Sequence, residues 1–247
     1  MPRFKNKNQN DNEKCIFKML GKFTFCFTTI IIFFVASCQY NSDESFNKHV
    51  QNAIVYRKKN DHFRTINELN EALKINPLSS KCYVFRGETW LILKKYDSAL
   101  KDFSSAIEIA PTSTLAVFKK GYTYYLMGWG DSAIHFYNLA IQSKGSDSVY
   151  IEFNNDLFKD GPVEEDVHMP EIRFYRGLVF YDKDEDSLAL NDLYFSLSYN
   201  YNLPRTKYYI GIILLVHSNK EKGCKFLNEA KALGNERAET YLSKYCK

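Results

Sequence analysis

The sequence predicts an all-α fold, a solenoid of stacked helix hairpins, and three observations carry that prediction. The first is a 34-residue period in small side chains. With units at 46–79, 80–113, 114–147, 170–203 and 204–237, relative positions eight, twenty and twenty-seven read Ala53, Thr65, Ala72; Gly87, Ala99, Ala106; Gly121, Ala133, Ala140; Gly177, Ala189, Ser196; and Gly211, Gly223, Ala230. Every slot is small, where composition alone would fill about one in four that way. The second is that large residues keep their own phase. Position eleven reads Tyr56, Trp90, Tyr124, Phe180 and Leu214, and position twenty-four reads Leu69, Phe103, Tyr137, Leu193 and Leu227. The third is punctuation: Pro77 and Pro111 close the first two units, and Gly145 takes that slot in the third.

Each element follows from packing. Small residues let two antiparallel helices approach closely, large ones fill the space beside them, and a terminal Pro or Gly stops the second helix. One hairpin cannot bury its apolar face alone, so the units must stack. Composition agrees: hydrophobic residues make up 45% of the chain and aromatics 16%, enough for a substantial core. The net charge is only +4, and no basic run interleaved with aromatics points to nucleic acid.

The N-terminal 37 residues read as a leader. Lys14, Lys18 and Lys22 precede an uncharged, Phe- and Ile-rich run at 23–37, which ends Val35-Ala36-Ser37 before Cys38. A basic start, a short apolar core and small residues before the cut are the layout of a secretory signal. As a helix the run would span only about 22 Å, short of the ~30 Å hydrocarbon core, which makes an uncleaved apolar anchor the weaker alternative. Residues 1–18 are polar and include Asp11 and Glu13, so Met19, directly before Leu-Gly-Lys and the apolar core, is an alternative start. The Val-Ala-Ser-Cys ending resembles the bacterial lipobox. That resemblance implies lipidation of Cys38, a membrane anchor at 38–45, and residence in a bacterial envelope. Gln39, where an aspartate would signal inner-membrane retention in some bacteria, favours the outer membrane.

The repeat resembles the tetratricopeptide repeat (TPR). Tyr83, Gly87, Trp90, Tyr96, Ala99, Phe103, Ala106 and Pro111 of the second unit all sit at that family's signature positions. The first unit lacks the glycine, and the fourth and fifth lack the closing proline. The resemblance implies a right-handed superhelix of about five hairpins, units one to three at 46–147 and units four and five at 170–237. It also implies a concave groove lined by positions two, five, nine and twelve of each first helix. Carried onto this chain, the groove residues are Phe118, Tyr122, Tyr125, Phe174, Tyr181 and Tyr208, a set suited to a partner's extended segment or helix. Family members that clamp a C-terminal carboxylate use asparagine at position nine. Here that position reads Ile54, Glu88, Tyr122, Leu178 and Ile212, so the resemblance does not extend to that activity. Position seven departs from the usual leucine at Arg86, Lys120 and Arg176, whose stems are expected to pack while their charges reach water.

Two segments fall outside the period. Residues 148–169 form an acidic insert, either a functional excursion or a disordered loop. Residues 238–247 read as a helix capping the last repeat. Cys224 begins the second helix of unit five and Cys246 ends the cap, and antiparallel packing would bring those ends level. The alternatives there are a disulfide, in an oxidising compartment, and two separate thiols.

Nothing in the sequence forms a catalytic constellation, and no cofactor or metal is implied. The five histidines lack metal-ligand spacing, and Glu164-Glu165-Asp166 with His168 reads as a solvated acidic loop. Asp97-Ser98, Asp131-Ser132 and Asp186-Ser187 read as helix-initiating caps. The expected function is therefore a membrane-anchored adaptor or assembly subunit that binds a protein partner. The alternative is an envelope protein holding a glycan or peptide in an aromatic groove.

Overall fold

The computed structural model describes residues 43–143, 167–217 and 219–247, and among these there are helices and no strand. The leader, Cys38 and residues 148–166 of the acidic insert lie outside the described residues. The chain forms two compact units that divide after Pro77.

The first unit is one hairpin, α1 (43–58) and α2 (His62–Ile75). Helix α1 starts three residues ahead of the expected 46, with Asp43 and Glu44 in its first turn, where the helix dipole favours negative charge. Asp61 caps α2 by accepting from the Arg64 amide at 3.1 Å. Ala53, Leu69 and Ala72 are fully buried between the two helices.

The second unit is a stack of four hairpins and a cap. These are α3 (Ser80–Ile92) with α4 (Tyr96–Ile109), α5 (Thr114–Leu126) with α6 (Gly130–Ser143), α7 (Met169–Asp182) with α8 (Asp186–Ser198), and α9 (Leu203–Val216) with α10 (Lys220–Ala232). The cap is α11 (Arg237–Tyr245). Each helix packs on the next in order, and α5 also touches α3 and α7, as α11 touches α9. Helices α6 and α7 are neighbours in that series although the insert separates them in sequence. The stack therefore runs on across the interruption. Lys183 on Asp131 at 2.6 Å and Arg176 on Asn138 at 2.6 Å tie the two sides.

The turn inside each hairpin repeats. Position fifteen takes a left-handed conformation at Asn60, Lys94, Gly128 and Asp184. The next amide donates back to the carbonyl of position eleven, at 2.9 Å, in Lys95–Trp90, Trp129–Tyr124, Glu185–Phe180 and Asn219–Leu214. Of these four residues one is glycine and two are Asn and Asp, which enter this region more readily than other side chains; Lys94 has no such aid, so there helix packing imposes the turn.

The small residues act by contact. A Cβ on Gly87 would lie 2.7 Å from the Phe103 ring. In the last hairpin the approach is backbone to backbone: a Cβ on Gly211 would meet the Gly223 carbonyl oxygen at 3.1 Å, and one on Gly223 would meet that of Gly211 at 3.0 Å. A backbone carbonyl cannot rotate away as a side chain does. Gly211→Ala is therefore expected to destabilise the protein by about 1–3 kcal/mol, read as a lowered urea-unfolding midpoint. An unchanged midpoint would show that α9 and α10 are not held this close.

Two sequence expectations change. Asp97 and Asp186 lie in the first turns of α4 and α8 without capping them, since the N-cap positions there, Lys95 and Glu185, make no side-chain cap bond; Asp131 lies in the first turn of α6. Asp131 and Asp186 instead reach the following hairpin, at Lys183 and at His217 (2.8 Å). Side-chain caps come from Ser79 and Ser113, which accept from the amides of Cys82 and Ala116.

The charges at position seven do not go to water either. Arg86 makes a two-pronged pair with Asp102, at 2.8 and 2.7 Å, and Arg176 does the same with Asp192, at 2.6 and 2.8 Å. Both aspartates occupy position twenty-three, and both are buried. Position seven faces the partner helix next to the small residue at eight, so its head group meets position twenty-three before it can reach solvent. The same rung is built differently in each hairpin: Asn52 with Glu68 in the first, Lys120 over the Phe136 ring (4.7 Å) in the third, and Ile210 with Phe226 in the fifth.

Cys224 and Cys246 are disulfide-bonded, with Cα atoms 5.7 Å apart and a sequence separation of 22. On chain entropy alone a loop of this length stabilises by about 3 kcal/mol. Ala238 is buried, and Tyr241 and Leu242 pack over Tyr208, Ile212 and Leu227. Cys82 is the free cysteine among the described residues; it is buried, and burial pushes its thiol up.

Candidate functional site

Among the described residues, no group of three His, Cys, Asp or Glu could hold a metal ion, and no helix is long and apolar enough to cross a membrane. His49 contacts Glu68 and His217 contacts Asp186, in different hairpins, and His168 is the N-cap of α7. What the fold presents instead is a tyrosine-rich surface on the first helices of consecutive hairpins.

The structure divides the six expected groove residues. Phe118, Phe174 and Tyr208 are interior, at 2%, 0% and 8% exposure, and correct the expectation for position five. The next element of the stack draws this position inward. Phe118 packs against Tyr137 and Tyr175 (5.7 and 5.8 Å), Phe174 against Ile210 and Ile213, and Tyr208 against Tyr241 of the cap (5.9 Å). Tyr122, Tyr125 and Tyr181 remain partly exposed.

Two further tyrosines complete the surface, Tyr175 and Tyr209, both at position six. Tyr122 and Tyr175 meet edge to face at 4.9 Å, Tyr125 lies 6.2 Å from each of them, and Tyr181 meets Tyr209 at 5.2 Å. The recurrence of tyrosine at position six in units four and five was a readable signal. The position rule carried over with the resemblance omits position six.

The polar groups around these rings are few. Burial, then the nearby charge of Asp182, pushes the Tyr125 phenol up to about 12. Burial likewise raises Tyr175 and Tyr181, although Arg205 hydrogen-bonds Tyr175 and pulls it the other way. Burial also raises the Asp182 carboxyl. At neutral pH the phenols of Tyr125, Tyr175 and Tyr181 thus keep their protons and can both donate and accept. Tyr137, packed against Gly121 and Phe118, holds a buried hydroxyl with no partner, a cost of about 1–3 kcal/mol. At position nine, Glu88 is paired with Lys119 (2.8 Å), while Leu178 and Ile212 are buried.

The arrangement sets phenol hydroxyls beside apolar ring edges on α5, α7 and α9.

Comparison with known proteins places this architecture. No protein-family model and no curated protein matches the chain. Solved structures do. MamA aligns with a TM-score of 0.59 at 17% identity, over 82% of this chain and 96% of its own. YrrB, described as a TPR protein with an unusual peptide-binding site, aligns at 0.58 and 15%, over 79% of this chain and 90% of its own. PilW, described as a widely conserved type IV pilus biogenesis factor, aligns at 0.59 and 16%, over 81% and 93%. At such identities the likeness shows the fold: this is a tetratricopeptide-type helical solenoid.

Proposed function

We propose that this chain is a TPR adaptor of the bacterial envelope, tethered by lipid on Cys38, and that its tyrosine surface receives a segment of a protein partner. The observation that carries the proposal is the cluster of Tyr122, Tyr125, Tyr175, Tyr181 and Tyr209, partly exposed and spread over three successive first helices. Aromatic residues give large contact area at low conformational cost, and phenol hydroxyls suit the amides and carbonyls of an extended chain. The peptide-binding site ascribed to YrrB and the pilus role ascribed to PilW support the reading for a fold of this kind. The disulfide suits an oxidising compartment. A glycan would need open ring faces to stack on, and the edge-to-face contact of Tyr122 with Tyr175 covers one of them.

The test places a photo-crosslinking residue at Tyr122 in native envelopes and identifies adducts by mass spectrometry. The expected result is a discrete protein adduct that disappears when the probe sits at Leu188, exposed on α8. Failure to crosslink with protein intact at the membrane would remove the groove-bound partner. Replacing Cys38 by alanine is expected to release the protein from the membrane fraction, and retention there would exclude the lipid anchor.

A further inference from the structure

The tyrosine surface holds a carboxylate that no cation answers. Asp182 is the last residue of α7 and is exposed, and among the described residues it takes part in no ion pair and no hydrogen bond. Its neighbours are phenols. Its charge acts on Tyr125 of α5 and on Tyr181 beside it in α7, and Tyr209 of α9 acts on both of those rings. The three tyrosines pack on one core cluster, with Tyr181 and Tyr209 meeting at 5.2 Å. Neither Lys183 nor Arg205 neutralises the carboxylate. Lys183 bonds Asp131 at 2.6 Å. Arg205 also acts on Tyr125, but it hydrogen-bonds Tyr175 and lies 5.2 Å over the Phe174 ring. Burial alone raises the Asp182 carboxyl, with no positive group drawing it down. Other acids of this region are engaged, Asp186 by His217 at 2.8 Å and Glu171 by Tyr201. Position adds to the imbalance, since the C-terminal end of a helix is the negative end of its dipole and favours a cation over a carboxylate.

Taking the tyrosine surface as the binding site, on which this reading rests, we infer that the partner segment carries a lysine or arginine whose charged head sits on Asp182, among Tyr125, Tyr181 and Tyr209. The carboxylate supplies a charge-assisted bond. The phenols of Tyr125 and Tyr181 keep their protons at neutral pH, and a phenol oxygen can still accept from an ammonium or guanidinium, which has only donors to offer. A neutral segment laid over Asp182 would strip its water and return nothing, and an acidic one would add repulsion.

The probe is a displayed library of random 12-residue peptides, selected on the detergent-solubilised full chain. Recovered binders are expected to share a position at which arginine and lysine are enriched at least threefold over the unselected library. The tightest such peptide is then labelled with fluorescein, beside a counterpart with glutamine at the shared position. Both are titrated by fluorescence anisotropy against the native chain and against Asp182→Asn, whose fold is checked by circular dichroism. The basic peptide is expected to lose at least fivefold on Asp182→Asn and the glutamine peptide to lose little, so that the two changes are coupled. The preference for the basic peptide is expected to shrink at high salt. Selection on Asp182→Lys is expected to turn the enrichment from basic to acidic residues. No binders, binders without a shared basic position, or equal losses by the two peptides on Asp182→Asn would overturn the inference. A Tyr122 adduct obtained alongside any of those results would keep the tyrosine surface and remove only the basic head group. Absence of that adduct would remove the surface, and the basic head group with it.

Discussion

Arg176→Ile is expected to destabilise the protein by about 3–5 kcal/mol, because it leaves the Asp192 carboxylate buried without its main partner. Asp192 has a side-chain exposure of 1%, so water cannot replace the lost guanidinium. Arg173 stands 3.9 Å away and is committed to the Phe195 ring at 4.0 Å, too far to substitute for the two short bonds. The same change also removes the 2.6 Å bond to Asn138 that ties this hairpin to the preceding one. The second arm of the experiment is Arg176→Ile combined with Asp192→Phe, which copies the Ile210 and Phe226 rung of the last hairpin. A hydrocarbon rung of the kind the last hairpin already holds is expected to recover part of the loss, since pairs of buried charges often do no better than apolar replacements, with the bulk of Phe over Asp limiting the recovery. Urea unfolding followed by circular dichroism measures both. A single variant costing under about 1 kcal/mol would mean that the carboxylate finds water after all.

Phe174→Ala is expected to cost about 3–5 kcal/mol, the range for emptying a buried aromatic site. The ring is fully buried among Leu178, Leu193, Ile210 and Ile213, where α7 and α8 meet α9. Tyr122→Ala, at a partly exposed ring, is expected to cost well under half as much. The contrast separates two roles that the sequence placed together. Phe174→Leu, which keeps volume and apolarity, is expected to leave crosslinking from Tyr122 unchanged, since the ring it replaces does not reach the surface. Loss of the adduct in a folded Phe174→Leu protein would return Phe174 to the binding surface.

The hairpins were legible because close approach of two helices admits only small residues, and the chain obeys that at positions eight, twenty and twenty-seven in every unit. The rung between positions seven and twenty-three was not read from either position alone. An arginine on a helix looks like a solvated charge until an aspartate sixteen residues on is noticed, and in this chain Asp102 and Asp192 both accompany an arginine at position seven. The binding surface was half legible. Tyr122, Tyr125 and Tyr181 lie on it, but a general rule for groove positions takes no account of ring size. Phe118, Phe174 and Tyr208 are large and mainly apolar, and the neighbouring element buries them. Tyr175 and Tyr209, one position along, are left with part of their surface in solvent.

The disulfide of the cap bears on the order in which the protein is made. Every helix of the second unit precedes Cys246, so the bond can close only after the whole stack has been synthesised. Once its hairpin has folded, Cys82 is buried, and burial raises its pKa, which disfavours the thiolate. In the folded chain Cys82 is therefore a poor competitor with Cys224 for Cys246, and burial settles the pairing.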